Sequence, residues 1–150
     1  LLGWDMNPKS LELGRQLSSG FNEIRFEQKD VLQHPELPEE NMVVVCNLFL
    51  HHFSDSQIYD ILAGWLGKGC QAIVVNDLQR NLLAYYLFSL FGVIFMKSPI
   101  ARHDGLVSIQ RAFAKKDLQA ISCQLGSVHA EIQWKWAFRY LWVLKPNFRE

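Results

Sequence analysis

The chain has 150 residues, 49% of them hydrophobic and 20% charged, which suits one globular domain with a sizeable core and excludes a disordered or low-complexity chain. Fifteen basic residues offset fifteen acidic ones, so no overall excess of charge points to nucleic acid. Cys46, Cys70 and Cys123 are odd in number and far apart, which argues against a disulfide framework or a metal site and for a reducing, cytoplasmic setting.

In chain order, residues 1–5 (Leu-Leu-Gly-Trp-Asp) are expected to close a buried strand. Asn7 and Pro8 then form a cap and first turn for a helix over residues 8–19, with Gly20 as its C-cap. This leaves the carboxylate of Asp5 at the carboxyl end of a strand, where open α/β sheets bind ligands. An ionised carboxylate only accepts hydrogen bonds, so it can take both hydroxyl protons of a ribose diol. Such an acid usually follows a glycine-rich strand–turn–helix by about 20 residues, and none precedes Asp5 in this sequence.

Residues 23–28 alternate, with Ile24 and Phe26 on one face, and predict a strand ending near Asp30. Residues 33–41, with Pro35 and Pro38, read as an exposed connection. The unbroken apolar run 42–46 predicts a strand buried on both faces. Ser54 and Gln57 form a capping box for a helix reaching about residue 67, and residues 71–76 form the next buried strand. Residues 82–96 carry no charge between Arg80 and Lys97. That run is too short to cross a bilayer, which needs about 20 apolar residues. A helix apolar all round must bury every face, in the core, against a second copy of the chain, over an apolar substrate or, less favoured, on a membrane surface. A polar loop is expected over 99–105 and a helix from 108 to about 121. The aromatic and β-branched stretches 128–134 and 136–144 are joined so closely that only an antiparallel pair fits. The predicted fold class is α/β: a doubly wound, mostly parallel, Rossmann-like sheet with an antiparallel C-terminal strand pair.

Three segments now carry a resemblance. Gly3-Trp4-Asp5-Met6-Asn7-Pro8 with Leu11 and Arg15, the stretch Asn47-Leu48-Phe49-Leu50-His51-His52-Phe53-Ser54-Asp55, and the terminal strand pair resemble the class I S-adenosylmethionine-dependent methyltransferases. They look closest to the small-molecule branch that includes the ubiquinone and menaquinone biosynthesis enzymes. The family's N-terminal strand and glycine-rich loop have no counterpart in the sequence, so the resemblance implies one N-terminally truncated methyltransferase domain over residues 1–150.

The resemblance implies a cofactor, S-adenosyl-L-methionine, and a small, apolar or aromatic methyl acceptor. Asp5 would hold the ribose hydroxyls and Met6 would pack on adenine. Asp30 would accept from the adenine amino group and the backbone of Val31 would donate to the ring. Asn47 and Leu48 would contribute the backbone that touches cofactor after the fourth strand. His52 matches the family's recurrent histidine, with His51 beside it, and the alternative role for both is a structural hydrogen bond. Asp77, Tyr85, Phe88 and Arg111 are candidates for the acceptor's surroundings. His103, in the cluster Arg102-His103-Asp104-Gly105 with Ser108 and Arg111, is a candidate general base wherever the acceptor must lose a proton. No metal is implied. Two other readings stay open: a non-catalytic remnant acting through its apolar helix in dimerisation or membrane-surface contact, and a nicotinamide-dependent oxidoreductase, which also uses an acid after its second strand.

Overall fold

The computed structural model describes residues 1–33 and 37–147. The chain forms two compact units, Leu1–Glu36 and Leu37–Glu150.

The first unit holds strand β1 (Leu2–Asp5), helix α1 (Pro8–Leu17) and strand β2 (Arg25–Gln28). β1 and β2 are parallel, with Leu2 opposite Arg25 and Asp5 opposite Gln28. Helix α1 starts as expected, the Asn7 side chain accepting from the Lys9 N–H at 3.0 Å. It stops at Leu17, two residues early: the Ser18 hydroxyl donates to the Gly14 carbonyl in the last turn, and Gly20 lacks the positive φ of a left-handed cap. Glycine matters at two points. A Cβ on Gly3 or on Gly14 would lie 2.9 Å from the Phe26 ring, so β1 and α1 approach this aromatic closely from both sides. Leu11 and Val31 are buried.

The second unit is built on a four-stranded sheet in the order β3-β4-β6-β5. Its strands are β3 (Val43–Asn47), β4 (Ala72–Leu78), β5 (Val128–Lys135) and β6 (Arg139–Pro146). β3 and β4 are parallel, while β6 runs antiparallel to both β4 and β5. The parallel crossover and the antiparallel terminal pair are both as anticipated, but the strands form two sheets, and in this one antiparallel pairings outnumber the parallel one.

Helix α2 (Asp55–Gly67) makes the β3–β4 crossover and opens with the anticipated capping box. The Ser54 N–H donates to Gln57 Oε1 at 2.9 Å. Ile58, Ile61, Leu62 and Trp65 of α2 join Ile73, Val75, Trp142 and Leu144 of the sheet in the core. Helix α5 (Lys115–Leu125) adds Leu118 and Ile121, and its Ser122 hydroxyl accepts from the Trp142 indole at 3.1 Å.

Three expectations need correction. β3 is not buried on both faces: Val43 and Val45 are exposed while Cys46, on the opposite face, is buried, the alternation of a strand covered on one face only. Residues 99–105 are not a loop but the first turns of helix α4 (Pro99–Arg111). Ser98 caps that helix, accepting from the Ala101 N–H at 3.3 Å, and Pro99 fits its first turn. The helix then breaks at Phe113, whose N–H and carbonyl pair with Leu78 and Arg80. Finally, helix α3 (Leu82–Phe95) does not bury all its faces, since only Ala84 and Gly92 are buried within it.

Candidate functional site

The polar groups of the second unit gather at the carboxyl ends of β3 and β4. The parallel register sets Asn47 opposite Asn76, and the Asn76 amide donates to Asn47 Oδ1 at 2.7 Å. Leu48 follows at φ 52°, a left-handed conformation that costs a branched residue about 1 kcal/mol or more. Its N–H donates to the Asn76 carbonyl at 2.9 Å. This bend folds the next residues back over the end of β4, where Asp77 receives them.

Asp77 is 1% exposed. Its Oδ2 accepts from the backbone N–H groups of Phe49, Leu50 and His51 at 3.2, 2.9 and 3.3 Å. Its Oδ1 lies 2.7 Å from His51 Nδ1 and also accepts from the Leu78 N–H. Because Oδ1 also accepts from a backbone N–H, His51 Nδ1 is placed as a donor in the 2.7 Å contact. One buried carboxylate thus anchors the short 3₁₀ turn Leu50–His52 and orients its histidine. Asp77, a candidate for the acceptor's surroundings, is thus placed with both its oxygens engaged by its own chain.

His52 lies outside this anchor, its ring 4.1 Å from that of His51. Desolvation, and then the neighbouring His51, hold its pKa below the usual 6.5. Arg111 acts in the same sense, while Asp104 and Asp77 oppose it. The structure therefore brings Asp104 and Arg111 of α4 to His52. His103 is exposed on α4 and is not among the groups that act on His52. Cys46, just before the bend, is no nucleophile: burial, reinforced by the charge of Asp77, pushes its thiol up to about 12.

Other candidates stand apart. Tyr85 is half-buried, edge-on to Tyr86 with centroids 5.7 Å apart. Phe88 packs its ring into the space where Gly105 of α4 lacks a side chain. In the first unit, Asp5 is exposed and its Oδ1 accepts from the Asn7 N–H at 2.7 Å. Met6 is 61% exposed. Asp30 Oδ1 accepts from the Leu32 N–H, and the Val31 side chain is buried, leaving only its backbone for a ligand. The residue the sequence underrated is His51. The Asn47–Asn76 register joins it to Asp77, and that pairing becomes visible only once β3 and β4 are known to be adjacent.

The arrangement of strands, crossovers and terminal antiparallel pair is an α/β fold shared with many solved structures. Three of them illustrate the likeness. The magnesium protoporphyrin IX methyltransferase of Synechocystis, solved with bound S-adenosylhomocysteine, is 16% identical with a TM-score of 0.60, over 96% of this chain and 63% of that one. The plantazolicin methyltransferase, in complex with a triazolic desmethylplantazolicin analogue and S-adenosylhomocysteine, is 11% identical with a TM-score of 0.69, over 98% and 68%. A pericyclic reaction enzyme is 13% identical with a TM-score of 0.64, over 97% and 36%. The chain thus spans under two thirds of the first of these. No protein-family profile and no curated protein matches the sequence.

Proposed function

We propose that this chain belongs to an S-adenosylmethionine-dependent methyltransferase acting on a small, apolar or aromatic acceptor, the branch of ubiquinone and menaquinone biosynthesis enzymes being the nearest in motif. The observation that carries this reading is the bent turn after β3, anchored by Asp77, in a fold shared with enzymes that bind S-adenosylhomocysteine.

The residues present suit this cofactor. Asp5 is exposed and, among the described residues, only Oδ1 accepts a backbone N–H, which leaves Oδ2 for ribose hydroxyls. Met6 offers a polarisable side chain to the adenine face. Asp30 and the backbone of Val31 offer an acceptor and a donor to the adenine edge. Asn47 and Leu48 offer their carbonyls, the Leu48 N–H being engaged by Asn76.

When bound, S-adenosylmethionine supplies a methyl group already activated on a sulfonium, ready for in-line displacement. The protein's part is then positioning and exclusion of water. Where the acceptor must lose a proton, His52, kept neutral by its surroundings, is poised to take it. His103 on α4 is the second candidate, and Tyr85 and Arg111 the candidates for acceptor contact.

Calorimetric titration of the 150-residue chain with S-adenosylhomocysteine tests the reading. Saturable binding is expected, weakened roughly tenfold to a hundredfold in Asp5→Ala through loss of charge-assisted hydrogen bonds. Binding of NADH in place of S-adenosylhomocysteine would move the assignment to nicotinamide chemistry.

A further inference from the structure

Helix α3 is packed inside out. Its small residues face inward: Ala84 and Gly92 are buried, and a Cβ on Gly92 would meet the Arg102 side chain of α4 at 2.8 Å. Its large residues face outward. Leu83, Tyr86, Leu87, Leu90, Val93 and Ile94 are all at least half exposed, and at 100° per residue they sweep about a third to a half of the helix circumference. Ile100, just past the turn into α4, is 82% exposed. Such a contiguous stripe of exposed apolar side chains is the kind of surface that marks an interaction site. Small residues at helix contacts with large ones outside is the packing of helices that meet lipid.

Cations outnumber carboxylates around this face. No carboxylate occurs between Asp77 and Asp104, whereas Lys97 and Arg102 follow the end of α3. At the other end, Arg80 is neutralised by Asp117 at 2.6 Å. The backbone pairing of Arg80 with Phe113 brings exposed Lys115 and Lys116 close by. The chain as a whole is electrically balanced, so this is local segregation. An isologous contact between two copies would set cationic ends against cationic ends in either orientation, while an anionic surface neutralises both.

We propose that α3 and the α3–α4 turn dock onto an anionic lipid surface. The helix lies in the plane of the interface with its outer face at the headgroup–acyl boundary and its cationic ends on lipid phosphates. Its fourteen residues reach about 21 Å, short of the roughly 30 Å hydrocarbon core, and no helix among the described residues is long and apolar enough to cross a membrane.

Vesicle flotation of the 150-residue chain tests this with liposomes of phosphatidylcholine alone and with phosphatidylglycerol added, at low and high salt. The chain should float with the anionic vesicles and far less with the neutral ones, and salt should release it. The exposed pair Leu90→Gln/Ile94→Gln should weaken partition about tenfold, and Lys97→Glu should weaken it on anionic vesicles only. Far-UV circular dichroism checks that each variant is folded. Absence of flotation would overturn the proposal, as would equal binding to both vesicle types. A dimer in sedimentation, abolished by Leu90→Gln/Ile94→Gln in a chain that ignores vesicles, would assign the face to a second copy.

Discussion

Asp77 joins β4 to the turn after β3 through a single carboxylate with three backbone donors and one imidazole. Replacing it by asparagine puts an amide N–H₂ where an acceptor is needed and leaves buried donors unpaired. Asp77→Asn should therefore lose about 3 kcal/mol in urea unfolding; a loss under about 0.5 kcal/mol would show that the turn holds without it. The adjacent His52 sets a pH dependence of known sign. Its folded pKa lies below the unfolded 6.5, so between those two values the unfolded chain binds more protons and stability rises with pH. Acidification through the ordinary histidine range should lower the melting temperature of the parent chain more than that of His52→Gln. Parallel curves for the two proteins would mean that His52 is not desolvated. Both histidines were singled out from sequence, but their division of labour was not. Neighbours in sequence diverge here because one ring turns into the unit toward Asp77 and the other turns out toward α4.

In the elements, local sequence is legible where capping chemistry decides and silent where tertiary contact decides. Asn7-Pro8 and Ser54-x-x-Gln57 mark true helix starts, because a cap is satisfied within three residues of itself. Ser98-Pro99 carries the same kind of signal, and the polar residues after it hid the start of α4. The break at Phe113 had no local signature, since it arises from pairing with Leu78 and Arg80, more than thirty residues earlier in sequence. The α3–α4 contact gives a sharp test. A methyl at residue 105 would overlap the Phe88 ring, so Gly105→Ala should destabilise by about 1–2 kcal/mol although alanine favours the helix. With Phe88→Ala in place the overlap disappears, and the same substitution should become neutral or stabilising by up to about 1 kcal/mol. An equal penalty in both backgrounds would mean that Gly105 is needed for something other than room for the ring.

Across the whole molecule, the α/β class and the terminal antiparallel pair follow from periodicity and linker length, but the division at residues 36 and 37 does not. It depends on how many strands share a sheet, and a strand's own residues do not report its neighbours. The two units differ in what holds them. Leu37–Glu150 has four hydrogen-bonded strands and fully buried Trp65, Trp142, Leu62 and Ile73. Leu1–Glu36 has two strands of four residues and only Leu11 and Val31 as buried apolar side chains among the described residues. A two-stranded sheet is marginal in water, and local opening tracks the buried apolar surface that resists it. Amide hydrogen exchange read by mass spectrometry should therefore show β1 and β2 exchanging through openings at least tenfold more frequent than those of β4 and β6. Exchange of residues 2–28 should follow this local opening, with weaker denaturant dependence than residues 72–78. If the two sets of amides exchange with one protection factor and one denaturant slope, the units unfold together. Asp5 and Asp30 would then rest on a scaffold as stable as the sheet carrying Asp77.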